Sequence, residues 1–134
     1  NSFTVRRYLY TPDIITTLQQ DEVFVFGSNL AGQHYGGAAR AAYEHFGAVW
    51  GEGIGYFGQS YAIPTMHGGV ADIRPYVDDF IDFAFSHPEL YFLVTPIGCG
   101  IAGFHPADIA PLFRRAVEVE NIVLPESFIE QYDH

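Results

Sequence analysis

The stretch Val23-Phe24-Val25-Phe26-Gly27-Ser28-Asn29-Leu30-Ala31-Gly32-Gln33-His34-Tyr35-Gly36-Gly37-Ala38-Ala39 decides the fold. Its first four residues are an unbroken apolar run of β-branched and aromatic side chains. A run of this kind reads as a strand covered on both faces rather than one with a wet side. A glycine-punctuated loop follows at once, and a helix of small residues opens near Ala38 and runs to about Phe46. Strand, glycine loop, helix is the first half of a βαβ unit, in which successive strands run parallel.

The same grammar returns downstream. Tyr91 to Thr95 is a second apolar strand, followed by Pro96-Ile97-Gly98-Cys99-Gly100-Ile101-Ala102-Gly103-Phe104. Pro106 then opens a helix with Ile109, Leu112, Phe113, Ala116 and Val117 on one face. Between the two units, residues 47–60 read as turns or a hairpin. Tyr61-Ala62-Ile63 is a short strand ended by Pro64, and residues 66–72 are loop. A helix runs from about Arg74 to Ser86, with Asp72 as its cap. Val77, Phe80, Ile81, Ala84 and Phe85 form its buried stripe. Thr11-Pro12-Asp13 is the signature of a helix start, with Ile14, Ile15 and Leu18 facing inward. Ile122-Val123-Leu124 is the last strand, and a short helix follows Pro125. The expected architecture is α/β: a three-layer α/β/α sandwich with a mixed, mainly parallel sheet, in a single domain over residues 1–134.

Composition narrows the function. With 134 residues, 49% of them hydrophobic, the chain can bury one real core. No apolar run approaches the roughly 20 residues of a membrane span, so no membrane partner is expected. The single cysteine excludes a disulfide framework and a cysteine-built zinc site. With no signal-peptide pattern, the expected location is cytoplasmic. The formal net charge is −10, and all six basic residues are arginine. No lysine is available for a Schiff base or a P-loop, and no broad basic footprint exists for a nucleic-acid duplex. An anion would have to be held locally, by backbone N–H groups and one arginine.

The glycines say where. All fourteen lie between Gly27 and Gly103, and two clusters, at 27–37 and 98–103, each leave a strand and enter a helix. Ligands of open α/β sheets bind outside the carboxyl ends of the strands, and helix N-termini favour anions. The candidate binding residues are therefore Gly27, Ser28, Asn29, Gly36, Gly37, Arg40, Gly98, Cys99, Gly100, Ile101, Ala102, Gly103 and Phe104. Two such loops on one edge suit a pyrophosphate or a phosphorylated sugar. Asn29 offers an amide for a ribose hydroxyl or a water, or else serves the turn. Arg40 reaches a phosphate or pairs with Glu44 one turn on. His34, within the first loop, is either a general base or, the preferred reading, an ordinary loop histidine. Cys99 reads as a small packed thiol rather than a nucleophile, because no paired base is evident. Phe104 packs on a sugar face or in the core. Asp78, Asp79 and Asp82 read as a solvated helix face opposite Phe80, Ile81 and Phe85, so neither a metal nor another cofactor is expected.

Two segments resemble the macrodomain family of ADP-ribose-binding α/β/α modules. Val25-Phe26-Gly27-Ser28-Asn29-Leu30 through Gly36-Gly37-Ala38-Ala39 is similar to the family's first loop. Gly98-Cys99-Gly100-Ile101-Ala102-Gly103-Phe104 is similar to its phosphate loop, with Pro106 one residue later than the usual proline. Tyr61-Ala62-Ile63-Pro64-Thr65 is similar to its middle strand. The chain also resembles a group of bacterial and phage-associated proteins without assigned activity. The resemblance implies that Asn29 contacts the distal ribose and that Gly36 and Gly37 lie against the ligand. The family's Gly-Asp-Ile motif, whose aspartate reads adenine, has no counterpart, and Asp13 and Asp21 stand in another context. The implied ligand is thus ADP-ribose, a related nucleotide or a phosphorylated ribose. The alternatives are a hydrolase acting on ADP-ribosyl or ribose-phosphate substrates, with Asn29 orienting water, and a different Rossmann-like nucleotide binder.

Overall fold

In the computed structural model the described residues are 10–12, 15, 17–32, 37–66, 68–99 and 103–133. They build a five-stranded sheet from β1 (Glu22–Ser28), β2 (Gly55–Phe57), β3 (Ser60–Pro64), β4 (Tyr91–Val94) and β5 (Ile122–Val123), in the order β2-β3-β1-β4-β5. β1 pairs in parallel with β3 and β4, and β4 with β5, while β2 is the antiparallel arm of a hairpin with β3. The mixed, mainly parallel sheet follows from the apolar runs. β1 lies in the middle of the sheet, so both its faces must be covered.

Alternation along β1 sorts the core into two layers. Val23 and Val25 point to one face, where they meet α2 (Val70–Phe85) and the helical segment 106–118. Phe24 and Phe26 point to the other, where they meet Ala42 and Phe46 of α1 (Gly37–His45) and its end. Ile15 and Leu18 pack against this second layer. The larger layer is aromatic: the Phe80 ring lies 5.0 Å from Tyr61, 5.5 Å from Phe92 and 6.2 Å from Phe113. Edge-to-face pairs of this kind add attraction beyond the area they bury.

Several boundaries differ from the sequence expectation. α2 begins at Val70, within the expected loop, because Asp72 caps it from inside. Its carboxylate accepts a hydrogen bond from the Gly69 N–H at 2.9 Å. Pro75 therefore lies inside the helix, where it removes one backbone bond instead of sitting harmlessly in the first turn. Thr11 starts no helix. Its hydroxyl donates to the Val123 carbonyl and its N–H to that of Leu124, both at 3.0 Å, so it covers the β5 edge. Ile15, Thr17 and Leu18 are likewise non-helical, while Asp13 and Ile14 lie outside the described residues. The helix opened by Pro106 is α-helical only to Ile109 (α3) and continues as a 3₁₀ helix from Ala110 to Glu118. Phe85 and Val117, expected to be buried, are 74% and 41% exposed. The short helix after Pro125 forms as α4 (Glu126–Ile129).

Asn121 locks the entry to β5. Its amide NH₂ is shared among the carbonyls of Ala84, His87 and Leu90 at 2.8–3.0 Å, tying the end of α2 to the strand that follows. No helix among the described residues is long and apolar enough to cross a membrane.

Burial, and secondarily the Asp79 carboxylate, push the Tyr61 phenol up to about 12. The unfolded phenol ionises near 10, so between about pH 10 and 12 the folded state holds the proton that the unfolded state has lost. Stability should be intact below pH 10 and fall by about 2–3 kcal/mol as pH rises toward 12. Urea unfolding at pH 9 and pH 11.5 checks this. The Tyr61→Phe variant should lose clearly less stability between the two pH values than the parent.

Candidate functional site

The topology makes one place on the sheet special. The chain leaving β1 passes to α1 on one face and returns to the β2–β3 flank, whereas the chain leaving β4 passes to the helical segment 106–118 on the other face and returns to β5. β1 and β4 are neighbours, so their outgoing loops diverge to opposite faces and leave a crevice between the strands' carboxyl ends. This is the topological switch point at which open α/β sheets bind ligands.

The described parts of both glycine loops begin at this crevice. A Cβ placed on Gly27 would lie 3.4 Å from the Gly98 nitrogen and 3.5 Å from the Ile97 Cβ, so the two loops start side by side. It would also lie 3.0 Å from the Thr65 hydroxyl oxygen, just beyond β3. Gly27 is therefore where the carboxyl ends of β3, β1 and β4 converge. Thr65 is held there by its backbone N–H, which donates to the Ser28 carbonyl at 2.9 Å. On the other flank, the Thr95 hydroxyl donates to the Val25 carbonyl at 2.7 Å and fixes the exit from β4.

Gly98 takes φ +73°, which favours glycine, and a Cβ there would press on the Phe104 ring at 3.2 Å and on Ile109 at 3.3 Å. The Phe104 N–H donates to the Gly98 carbonyl at 2.8 Å, closing the second loop at its base. Phe104 is half-buried against the larger core layer, so its ring serves the packing of this loop. Cys99 packs against the same layer, and burial, followed by the Asp108 carboxylate, pushes its thiol up. A raised thiol is a poor nucleophile near neutrality, in keeping with the packed-thiol expectation.

The first loop is braced from a side the sequence reading did not consider. Asn29 opens a turn closed by the Gly32 N–H on its carbonyl at 3.0 Å. The segment 51–53 lies backbone to backbone against this turn. The Gly51 N–H donates to the Gly32 carbonyl at 3.0 Å, and the Ser28 hydroxyl donates to that of Gly53. A Cβ on Gly53 would sit 1.9 Å from the Asn29 carbonyl oxygen. Nothing distinguishes Gly53 from its glycine neighbours in the sequence; only the approach of the two loops does.

The remaining expected residues are distributed as follows. Gly37 is the first residue of α1. Arg40 forms the exposed ion pair with Glu44, Nε to Oε1 at 3.0 Å, one of its two expected roles. Gly103 takes φ +83° in open space. His34, Gly36, Gly100, Ile101 and Ala102 lie outside the described residues. Asp78 and Asp82 face Arg115 of the 3₁₀ helix at 3.2 and 3.7 Å, and no metal-binding group occurs among the described residues.

A hollow of about 210 Å³ opens beside the crevice, lined by Thr11, Pro12, Pro96, Pro125, Glu126, Ser127 and Glu130. It shares Pro96 with the loop after β4, but its two carboxylates disfavour an anion there. The Gly27–Gly98 side, by contrast, brings uncharged hydroxyl and backbone groups together. Compared with known proteins, the chain matches no family model, no curated protein and no solved structure.

Proposed function

We propose that this protein has a macrodomain-like fold and binds ADP-ribose, or a related nucleotide or phosphorylated ribose, in the crevice between β1 and β4. The observation that carries the reading is the switch point itself. Two glycine-bearing loops leave neighbouring parallel strands toward opposite faces, and Gly27 and Gly98 meet at its floor. Bare backbone at such a floor lets a ligand approach N–H groups that any side chain would screen. That suits a chain with net charge −10, which has no field of its own to attract a phosphate. The resemblance of the two loop sequences to the macrodomain loops supplies the ribose. Binding rather than turnover is the reading, because the Cys99 thiol is raised and no acid–base pair occurs at the described part of the crevice.

The test is calorimetric titration with ADP-ribose, nucleotides and ribose phosphates, with product release followed in parallel. Saturable binding without steady turnover is the expected result, and steady turnover would replace the binding module with a hydrolase. Asn29→Ala should weaken binding roughly 5- to 150-fold, the loss of about 1–3 kcal/mol when a partly desolvated amide partner is removed. Unchanged affinity in that variant would remove Asn29 from the site.

A further inference from the structure

The sheet has two edges, and the chain treats them differently. At β5 the outer side is covered by Thr11, which bonds to the carbonyls of Val123 and Leu124. At the other end, β2 pairs only with β3. Phe57 and Ser60 close a two-residue turn at Gly58-Gln59, so this pair exchanges ladder bonds. By alternation the N–H and C=O of Tyr56, one residue earlier, point away from β3. They have no hydrogen-bond partner among the described residues. An open edge is a template for another strand, and proteins that avoid such pairing commonly blunt it with charge or proline. Residues 53–63, which hold β2 and most of β3, carry neither. Ile54 and Tyr56 are 46% and 39% exposed, and the Tyr56 ring is held 5.4 Å from that of Phe83 on α2.

Charge and shape identify the occupant. Copies of a chain with net charge −10 repel one another, and the β2 edge is a stretch where that repulsion has no source in the strand itself. Tyr56 is the residue of β2 whose groups point outward, so antiparallel pairing of two copies has one register, centred on Tyr56. There Tyr56 stands opposite Tyr56 of the second copy, and the two exchange both backbone bonds. Gly55 then stands opposite Phe57, and Ile54 opposite Gly58. A Cβ on Gly55 would meet nothing within 4 Å, which leaves room for the half-buried Phe57 ring. Each bulky residue of one copy thus meets a glycine of the other. α2 packs on β3 through Phe80 and Phe83 against Tyr61. The series β3-β2-β2-β3 would set the two α2 helices about 14 Å apart, at the usual spacing of neighbouring strands. Ile54 and Tyr56, on one face of the strand by alternation, fill that gap from both sides.

We propose that the β2 edge is a self-association surface: two copies join by antiparallel pairing of β2 across a two-fold axis at Tyr56. The five strands of each copy then form one continuous sheet. The proposal is independent of the ligand reading, because β2 lies on the flank away from the β1–β4 crevice. One bonded pair of residues and a few side chains make a small interface, so the dimer is weak and depends on concentration. A strand from a different protein is the competing occupant, and it requires the free chain to be monomeric.

The experiment is sedimentation equilibrium of the full chain from about 10 µM to about 1 mM, at low salt and at about 0.5 M salt. The parent should show a reversible monomer–dimer equilibrium that tightens with salt, because screening weakens the repulsion between two acidic chains. Ile54→Glu places a charge at the seam and should weaken the dimer roughly 10- to 100-fold. Phe85→Glu adds the same charge at a residue that is 74% exposed. It lies two residues past Phe83, on the other side of α2, and should change the dimer constant by no more than about threefold. Tyr56→Ala removes the ring but keeps the outward N–H, whereas Tyr56→Pro removes both. That N–H is not part of the β3 ladder, so an edge strand tolerates the proline. Tyr56→Pro should dissociate the dimer further than Tyr56→Ala at equal folded content by circular dichroism.

A parent that stays monomeric over the whole range at high salt would overturn self-association and leave the edge to a foreign strand. A dimer unchanged by Ile54→Glu, or weakened as much by Phe85→Glu, would place the interface on another face and overturn the proposal as well. Should the Tyr56 variants lose folded content, the comparison of Ile54→Glu with Phe85→Glu decides, because both side chains are exposed and neither residue belongs to the β2–β3 ladder.

Discussion

Replacing Phe80 with alanine should lower the unfolding free energy by about 3–5 kcal/mol, the usual cost of emptying a large aromatic site that cannot collapse. Phe80 is fully buried, and its ring meets Tyr61 of β3, Phe92 of β4 and Phe113 of the 3₁₀ helix. It therefore joins three elements that are distant in the chain, and no single neighbour can move to fill the space. A domain of this size has a total stability of about 5–15 kcal/mol, so the variant should be near the edge of folding. The urea midpoint should drop sharply. Phe85→Ala is the contrast. Phe85 is on the same helix but 74% exposed, and its removal should change stability by less than about 0.5 kcal/mol. Similar losses from the two variants would refute the packing described here.

Gly53→Ala should have the larger effect on the site. The added Cβ would lie 1.9 Å from the Asn29 carbonyl oxygen and 2.9 Å from its carbon. Both are backbone atoms, so no rotamer change relieves the clash. The segment 51–53 or the Asn29 turn must shift, and with it the Gly32–Asn29 bond and the Ser28–Gly53 bond. The expected cost is about 3 kcal/mol, the upper end for overpacking. Ligand binding should fall below detection, because the rim that positions Asn29 has moved. Gly69→Ala is the control: its Cβ meets nothing within 4 Å, and alanine at that helix start should cost under about 1 kcal/mol. Equal stability and equal ligand affinity in Gly53→Ala and the parent would show that the loops do not bear on each other.

The sequence by itself determined the elements whose signals are local. The apolar run Val23–Phe26 required cover on both faces, and it occupies the centre of the sheet. The strand before Pro64, the strand from Tyr91 and the buried positions Val77, Phe80, Ile81 and Ala84 were all legible from period and punctuation, whereas residues 47–60 read only as turns or a hairpin and in fact supply β2, which pairs with β3 beyond them. The origin of both glycine loops at the carboxyl ends of parallel strands was legible for the same reason.

Tertiary structure decided what depends on a second segment. Five residues separate Phe80 from Phe85, about 140° around a helix, so only the position of the neighbouring layer shows that one is core and the other exposed. Thr11 carries a helix-start signature, but the β5 edge offered its hydroxyl a carbonyl that propensity cannot foresee. Arg40 had two chemically sound partners, and its side chain pairs with the nearer one, Glu44. Gly53 and Tyr56 gain their meaning only from the fold. One fits because the Asn29 turn lies against it, and the other matters because the strand order leaves the outer side of β2 unpaired among the described residues. A sequence records what each residue can donate, accept or bury. Which of those capacities are met, and which stay open at an edge, is set by which backbones the fold brings within 3–4 Å of one another.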